Sequence, residues 1–138
     1  SYLSSDIAYA NVEDALKLSS STNIDSLAPA LGSVHGIYKG EPKLDFDKML
    51  EISEKSNLPL VLHGGSGIDD EKIKKAISCG ISKININTEL QIAWSNEVRK
   101  YLKDNNEYDP RKIIKSGEDS MKKIIREKII LLGSNNKA

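Results

Sequence analysis

Apolar and polar residues along the chain follow two patterns: short, nearly all-apolar runs, and longer stretches with an apolar residue at every third or fourth position. Leu58-Pro59-Leu60-Val61-Leu62 is the clearest of the first kind, as expected of a strand covered on both faces. Residues 81–87 predict a second strand, and the mostly apolar stretch 24–32 predicts a buried one ahead of both, although Pro29 there forbids one ladder hydrogen bond. The helical patterns lie between them. Residues 11–18 open on Asn11, a good N-cap, with Asp14 favouring the helix N-terminus. Residues 44–56 carry Phe46, Met49, Leu50 and Ile52 on one stripe. Residues 69–78 turn Ile73, Ala76 and Ile77 inward and are closed by Gly80. Residues 89–102 carry Leu90, Ala93, Trp94, Val98 and Leu102. A linker over 104–110 leads to a terminal amphipathic helix, 116–132, built on Met121, Ile124, Ile125, Ile129 and Leu132.

The predicted order, β-α three times over with a further helix at the end, gives parallel strands joined by right-handed crossovers. Three such strands leave a sheet edge unpaired. The chain, at 138 residues, is also shorter than the roughly 200 or more that a complete eight-stranded α/β barrel needs. The expectation is therefore an α/β fold forming the last part of a barrel: three βα units plus a terminal helix, with residues 1–138 belonging to one barrel domain. The polar opening Ser1-Tyr2-Leu3-Ser4-Ser5-Asp6, without an initiating Met, agrees with a chain that begins inside something larger.

Composition narrows the functional classes. Twenty Lys and Arg balance twenty Asp and Glu, so no global field recruits nucleic acid or an anionic membrane. The lysines of 72–75 and the basic residues of 122–128 are interrupted by acids and read as solvated helix faces. Cys79 is the single cysteine, which excludes an internal disulfide and suits packing at a helix end in a reducing compartment. No apolar run approaches the roughly 18 residues of a membrane span, and no basic-then-apolar leader opens the chain. A cytoplasmic location is expected.

The candidate chemistry lies at the C-terminal ends of the predicted strands. The chain has two histidines, His35 and His63, and each precedes a glycine at such an end. Two imidazoles on neighbouring strands can share a metal ion; each can equally be a hydrogen-bonding structural residue. A catalytic zinc commonly takes three protein ligands, and no third histidine exists here. Gly64-Gly65-Ser66-Gly67 lies between a strand and a helix, where converging amides and the helix N-terminus suit a phosphate; a flexible turn is the plainer reading. Strand alternation over Asn85-Ile86-Asn87-Thr88 would project Asn85 and Asn87 to one face, to meet sugar hydroxyls or to form a polar layer, with Thr88 available to a phosphate. Lys39 is either a phosphate partner or a surface lysine.

Val34-His35-Gly36-Ile37-Tyr38-Lys39-Gly40, Leu62-His63-Gly64-Gly65-Ser66-Gly67 and Lys83-Ile84-Asn85-Ile86-Asn87-Thr88-Glu89 together resemble the second half of a class II, metal-dependent fructose-bisphosphate aldolase; tagatose-bisphosphate aldolases share these motifs. The likeness runs from Asn11 to the end, through Tyr108-Asp109-Pro110-Arg111-Lys112 and Gly133-Ser134. It implies a TIM barrel, assembled as a homodimer or homotetramer. It makes His35 and His63 two of three zinc ligands, and Gly36, Lys39, Gly64, Gly65 and Ser66 the phosphate site for dihydroxyacetone phosphate, beside which a monovalent cation often sits. Asn85, Asn87 and Thr88 match the segment contacting substrate hydroxyls and phosphate, with Asn85 orienting the reacting oxygens; many members carry Asp where this chain has Asn87. The resemblance also implies that zinc polarises the ketone as the C3–C4 bond breaks. The third metal histidine and the proton-shuttling aspartate belong to the family's N-terminal half, so the fragment alone is expected to be inactive. A phosphate-binding barrel fragment without chemistry is the alternative, and it would need no stoichiometric divalent ion.

Overall fold

The computed structural model describes residues 9–137, which fall into two compact units divided between Asn85 and Ile86. In the first unit, α1 (Val12–Ser21) and α2 (Phe46–Ser56) pack on each other, and α3 (Asp70–Ser78) packs on β2 (Ile81–Ile84) and on α2. Parallel to β2 runs β1 (Leu60–Leu62), pairing Leu60 with Ile81 and Leu62 with Ile84. Local signals set the helix ends. Asn11 accepts from the Asp14 N–H, Asp45 from the Lys48 N–H and Asp69 from the Glu71 N–H, each satisfying an orphan donor of the first turn. Gly80 follows α3 at φ +102°, and a side chain there would overlap the Ser53 hydroxymethyl group. Leu31, Met49, Ile52, Leu60, Leu62 and Ile73 are fully buried and form the core between sheet and helices. Cys79 is a buried free thiol at the end of α3, in keeping with a packing role.

The expected strand over 24–32 is not formed. One bridge remains, between Leu27 and Leu60: the Leu27 N–H donates to the Pro59 carbonyl (3.0 Å) and its carbonyl accepts from the Val61 N–H (2.9 Å). Beyond Leu27 the backbone turns to other partners. Pro29 has no N–H to give, the Ala30 carbonyl accepts from Ala10, and the Leu31 carbonyl accepts from Asp45. Apolar content marked the burial of Leu27 and Leu31 correctly, but not a ladder. The strand expected over 81–87 likewise stops at Ile84, with the Asn85 N–H making one more bond to the Leu62 carbonyl (3.0 Å).

The second unit contains α4 (Thr88–Asp104), α5 (Pro110–Lys115) and α6 (Glu118–Leu131), with α4 packed against both others. Trp94 is its anchor: the indole N–H donates to the Ile114 carbonyl (2.9 Å), and Gly117 lies so close beneath the ring that a Cβ would fall 2.3 Å from it. Lys128 of α6 pairs with Glu89 of α4 at 3.4 Å. The apolar stripe expected on α6 is helical and only partly covered: Ile125 and Ile129 are 41 and 40% exposed, while Met121, Ile124 and Leu132 are half-buried. No described helix is long and apolar enough to cross a membrane.

The turn into α5 is held by two carboxylates. Glu107 accepts from the Tyr108 and Asp109 amides (3.1 Å each) and pairs with Lys112 (3.0 Å), while Asp109 caps α5 and grips the Arg111 guanidinium. Glu107 titrates below its ordinary 4.5, chiefly through the Asp109 amide and then Lys112; Asp109 titrates below 3.8 through Arg111. A carboxylate held below its unfolded value stabilises fully above that value and loses the contribution as pH falls through the folded one. Amide protection of residues 108, 109, 111 and 112 should therefore be intact at neutral pH and reduced in acid, as the pH falls below these two ordinary values. Hydrogen exchange, corrected for intrinsic rates, checks this; equal protection at both pH values would refute it.

Candidate functional site

The candidate site is built from three chain segments of the first unit that leave the sheet side by side. One follows the Leu27 bridge and carries residues 33–39; the others follow β1 and β2 directly and begin at His63 and Asn85. Pairing of Leu27 with Leu60 and of Leu62 with Ile84 fixes these exits in parallel. Both histidine rings are exposed, with centroids 5.5 Å apart and planes crossed at 68°. Two imidazoles on one tetrahedral ion, each about 2 Å from it, would place their centroids roughly 5 Å apart. The pair thus has the spacing of two ligands. Among the described residues, no group of three or more His, Cys, Asp or Glu side chains could hold a metal.

Close approach of the two histidine segments depends on Gly64. Its φ is +64°, and a Cβ there would lie 2.1 Å from the Val34 carbonyl oxygen, so only glycine lets the backbones touch. Gly36 also has a positive φ, +95°, but faces open space. Tyr38, which the sequence reading left without a role, spans the same gap: its hydroxyl donates to the Gly64 carbonyl (2.9 Å) and accepts from the Val34 N–H (3.0 Å). Burial pushes this phenol above its ordinary value of 10.0, against a smaller opposing effect of the Val34 amide, so it stays protonated as a donor at neutral pH.

Asn85 reaches His63. Its side-chain nitrogen lies 3.0 Å from the ring Nδ1, so the amide orients the imidazole and its orientation is coupled to the ring tautomer. The Gly65 N–H donates to the Asn85 carbonyl (2.9 Å), which commits that amide to stitching the glycine loop to the end of β2 instead of presenting it to an anion. Ser66 is buried, and Gly67, at φ +81°, adjoins the Tyr38 ring. The loop passes through Ile68 into Asp69, the N-cap of α3. Lys39 sits on the exposed part of the 33–40 segment.

Asn87 departs from the expected geometry. Strand alternation would have set it beside Asn85, but the chain has left the strand by then: Asn87, at φ −146° and ψ −51°, is the N-cap residue of α4, and its carbonyl accepts from the Leu90 and Gln91 amides. Thr88 is the first residue of that helix. Both belong to the second unit.

The fructose-bisphosphate aldolase class-II family model matches residues 2–137. The chain belongs to the class II fructose-bisphosphate aldolase family. It is 54% identical over 133 residues to a fructose-bisphosphate aldolase of Geobacillus stearothermophilus, covering 96% of this chain and 46% of that protein. It is 47% identical over 137 residues to a 6-phospho-5-dehydro-2-deoxy-D-gluconate aldolase of Shouchella clausii, covering 99% of this chain and 47% of that one. In structure it is similar to the YdjI aldolase of Escherichia coli, with a TM-score of 0.82 and 39% identity over 94% of this chain and 48% of that one. The chain thus spans about half the length of the curated relatives it matches.

Proposed function

We propose that this chain supplies the C-terminal half of a class II aldolase TIM barrel. In that reading the assembled protein reversibly cleaves fructose 1,6-bisphosphate to dihydroxyacetone phosphate and glyceraldehyde 3-phosphate with a divalent metal, zinc. The observation that carries the reading is the His35–His63 pair, 5.5 Å apart at adjacent strand exits, with Asn85 on the second ring. His35 and His63 would hold the ion, and a third ligand would come from the half of the family length that this chain does not span. A bound divalent ion would supply Lewis-acid polarisation of the substrate carbonyl. Asn85, whose amide contacts the His63 ring, would orient the reacting oxygens. Ser66 and the glycine loop before α3, apart from the committed Gly65 amide, would with Lys39 hold the phosphate of the dihydroxyacetone phosphate half, and anchoring that group positions the reacting carbons.

Relatives named for fructose bisphosphate at 54 and 50% identity, against 47% for one named for a phosphorylated dehydro-deoxygluconate, favour the fructose substrate. The test joins this chain to the N-terminal half of the Geobacillus enzyme. One zinc per chain and cleavage of fructose 1,6-bisphosphate are expected, with both lost on chelation and restored by zinc; this chain alone should be inactive. Tagatose 1,6-bisphosphate and the dehydro-deoxygluconate phosphate serve as competing substrates. Cleavage that survives complete metal removal, or zinc binding without cleavage of any of the three, would overturn the reading.

A further inference from the structure

We propose that Tyr38 is a positioning residue: through its hydroxyl it clamps the segments bearing His35 and His63 together and so sets the spacing of the imidazole pair. The inference rests on the aldolase reading only in taking that pair as metal ligands. One oxygen atom touches both segments, accepting from the N–H of Val34, immediately before His35, and donating to the carbonyl of Gly64, immediately after His63. A phenol has one proton to donate, and it is spent across the gap, not along its own segment. The missing Cβ of Gly64 brings the two backbones to contact, and the Tyr38 ring closes the same corner against Gly67. Neither histidine side chain is buried, so core packing does not hold their separation; strand pairing and the Gly64 contact bring the two segments together, and the Tyr38 hydroxyl ties them there.

A purely structural tyrosine has a built-in comparison. Tyr9 also donates its hydroxyl to a backbone carbonyl, that of Lys43 at 2.7 Å, in the first unit but outside the two segments that bear the histidines. In the joined protein described above, zinc affinity is read by competition with a chromophoric chelator, alongside turnover and the thermal midpoint. Tyr38→Phe should weaken zinc binding about 10- to 100-fold, the range for lost outer-shell partners, and lower kcat with KM changed by less than about threefold. Tyr9→Phe should leave zinc affinity within about twofold while lowering the thermal midpoint as much as Tyr38→Phe does. Para-aminophenylalanine at position 38, which restores a donor to Gly64 but accepts poorly from Val34, should recover part of the affinity. Equal zinc affinity in Tyr38→Phe and the unsubstituted protein would overturn the proposal. So would equal losses in the two tyrosine variants, or a Tyr38→Phe protein that fails to fold while Tyr9→Phe folds. If the unsubstituted protein binds zinc but cleaves nothing, the aldolase reading fails and the affinity comparison still decides the role of Tyr38. If it binds no zinc, the ligand pair and the clamp both fall.

Discussion

Replacing His63 with alanine is expected to abolish cleavage of fructose 1,6-bisphosphate by the joined protein, lowering kcat on the order of a thousandfold or more. Several kcal/mol of transition-state stabilisation by a correctly placed ion corresponds to a factor of that size. A site reduced from three protein ligands to two holds its ion weakly and misplaces it, so zinc content should fall together with activity. Asn85→Ala tests the neighbouring contribution separately. It leaves both imidazoles but removes the amide 3.0 Å from the His63 Nδ1, and a loss of about 10- to 100-fold is expected, as for other partners that orient metal-binding histidines. The ranking of the two variants matters as much as either value. Should His63→Ala retain stoichiometric zinc and more than about a tenth of the activity, the imidazole is not a ligand and the role assigned to the pair is wrong.

A large loss of stability from a single methyl group is expected at Gly64. Two effects add in Gly64→Ala. An alanine at φ +64° carries the left-handed penalty of about 1–2 kcal/mol, and its Cβ would lie 2.1 Å from the Val34 carbonyl oxygen. No rotamer relieves a clash between Cβ and backbone, so the two segments must separate, breaking the Tyr38 bond to the Gly64 carbonyl as they do. Gly36→Ala isolates the first effect, since Gly36 also has a positive φ but nothing lies within 4 Å of an added Cβ. Denaturant midpoints at constant slope should therefore place Gly64→Ala clearly below Gly36→Ala, by more than about 1 kcal/mol, with zinc affinity lost in the former. Equal midpoints would show that the contact between the two segments is not held in solution.

Features of this chain that depend on neighbours in sequence were legible without a structure. Asn11 and Asp69 sit where helices start, Gly80 follows the end of α3, and the apolar run of β1 is buried on both faces, because caps, glycine turns and periodicity act over a few residues. The histidine–glycine pairs and the glycine loop could be recognised for the same reason, and with them the family. What depended on partners far along the chain was not legible. Whether residues 24–32 form a ladder was decided by Ala10 and Asp45, which take the carbonyls beyond Leu27, and the apolar composition there marks burial alone. The face presented by Asn87 was decided by where α4 begins, since one residue of helix ends strand alternation. The engagement of Asn85 with His63, 22 residues earlier, and of Tyr38 with Gly64, 26 residues later, leaves no periodic trace at all. Sequence determined which side chains could do chemistry and which element each follows. Only the tertiary structure, by packing the backbone of Val34 against that of Gly64, decided that the two imidazole rings stand 5.5 Å apart.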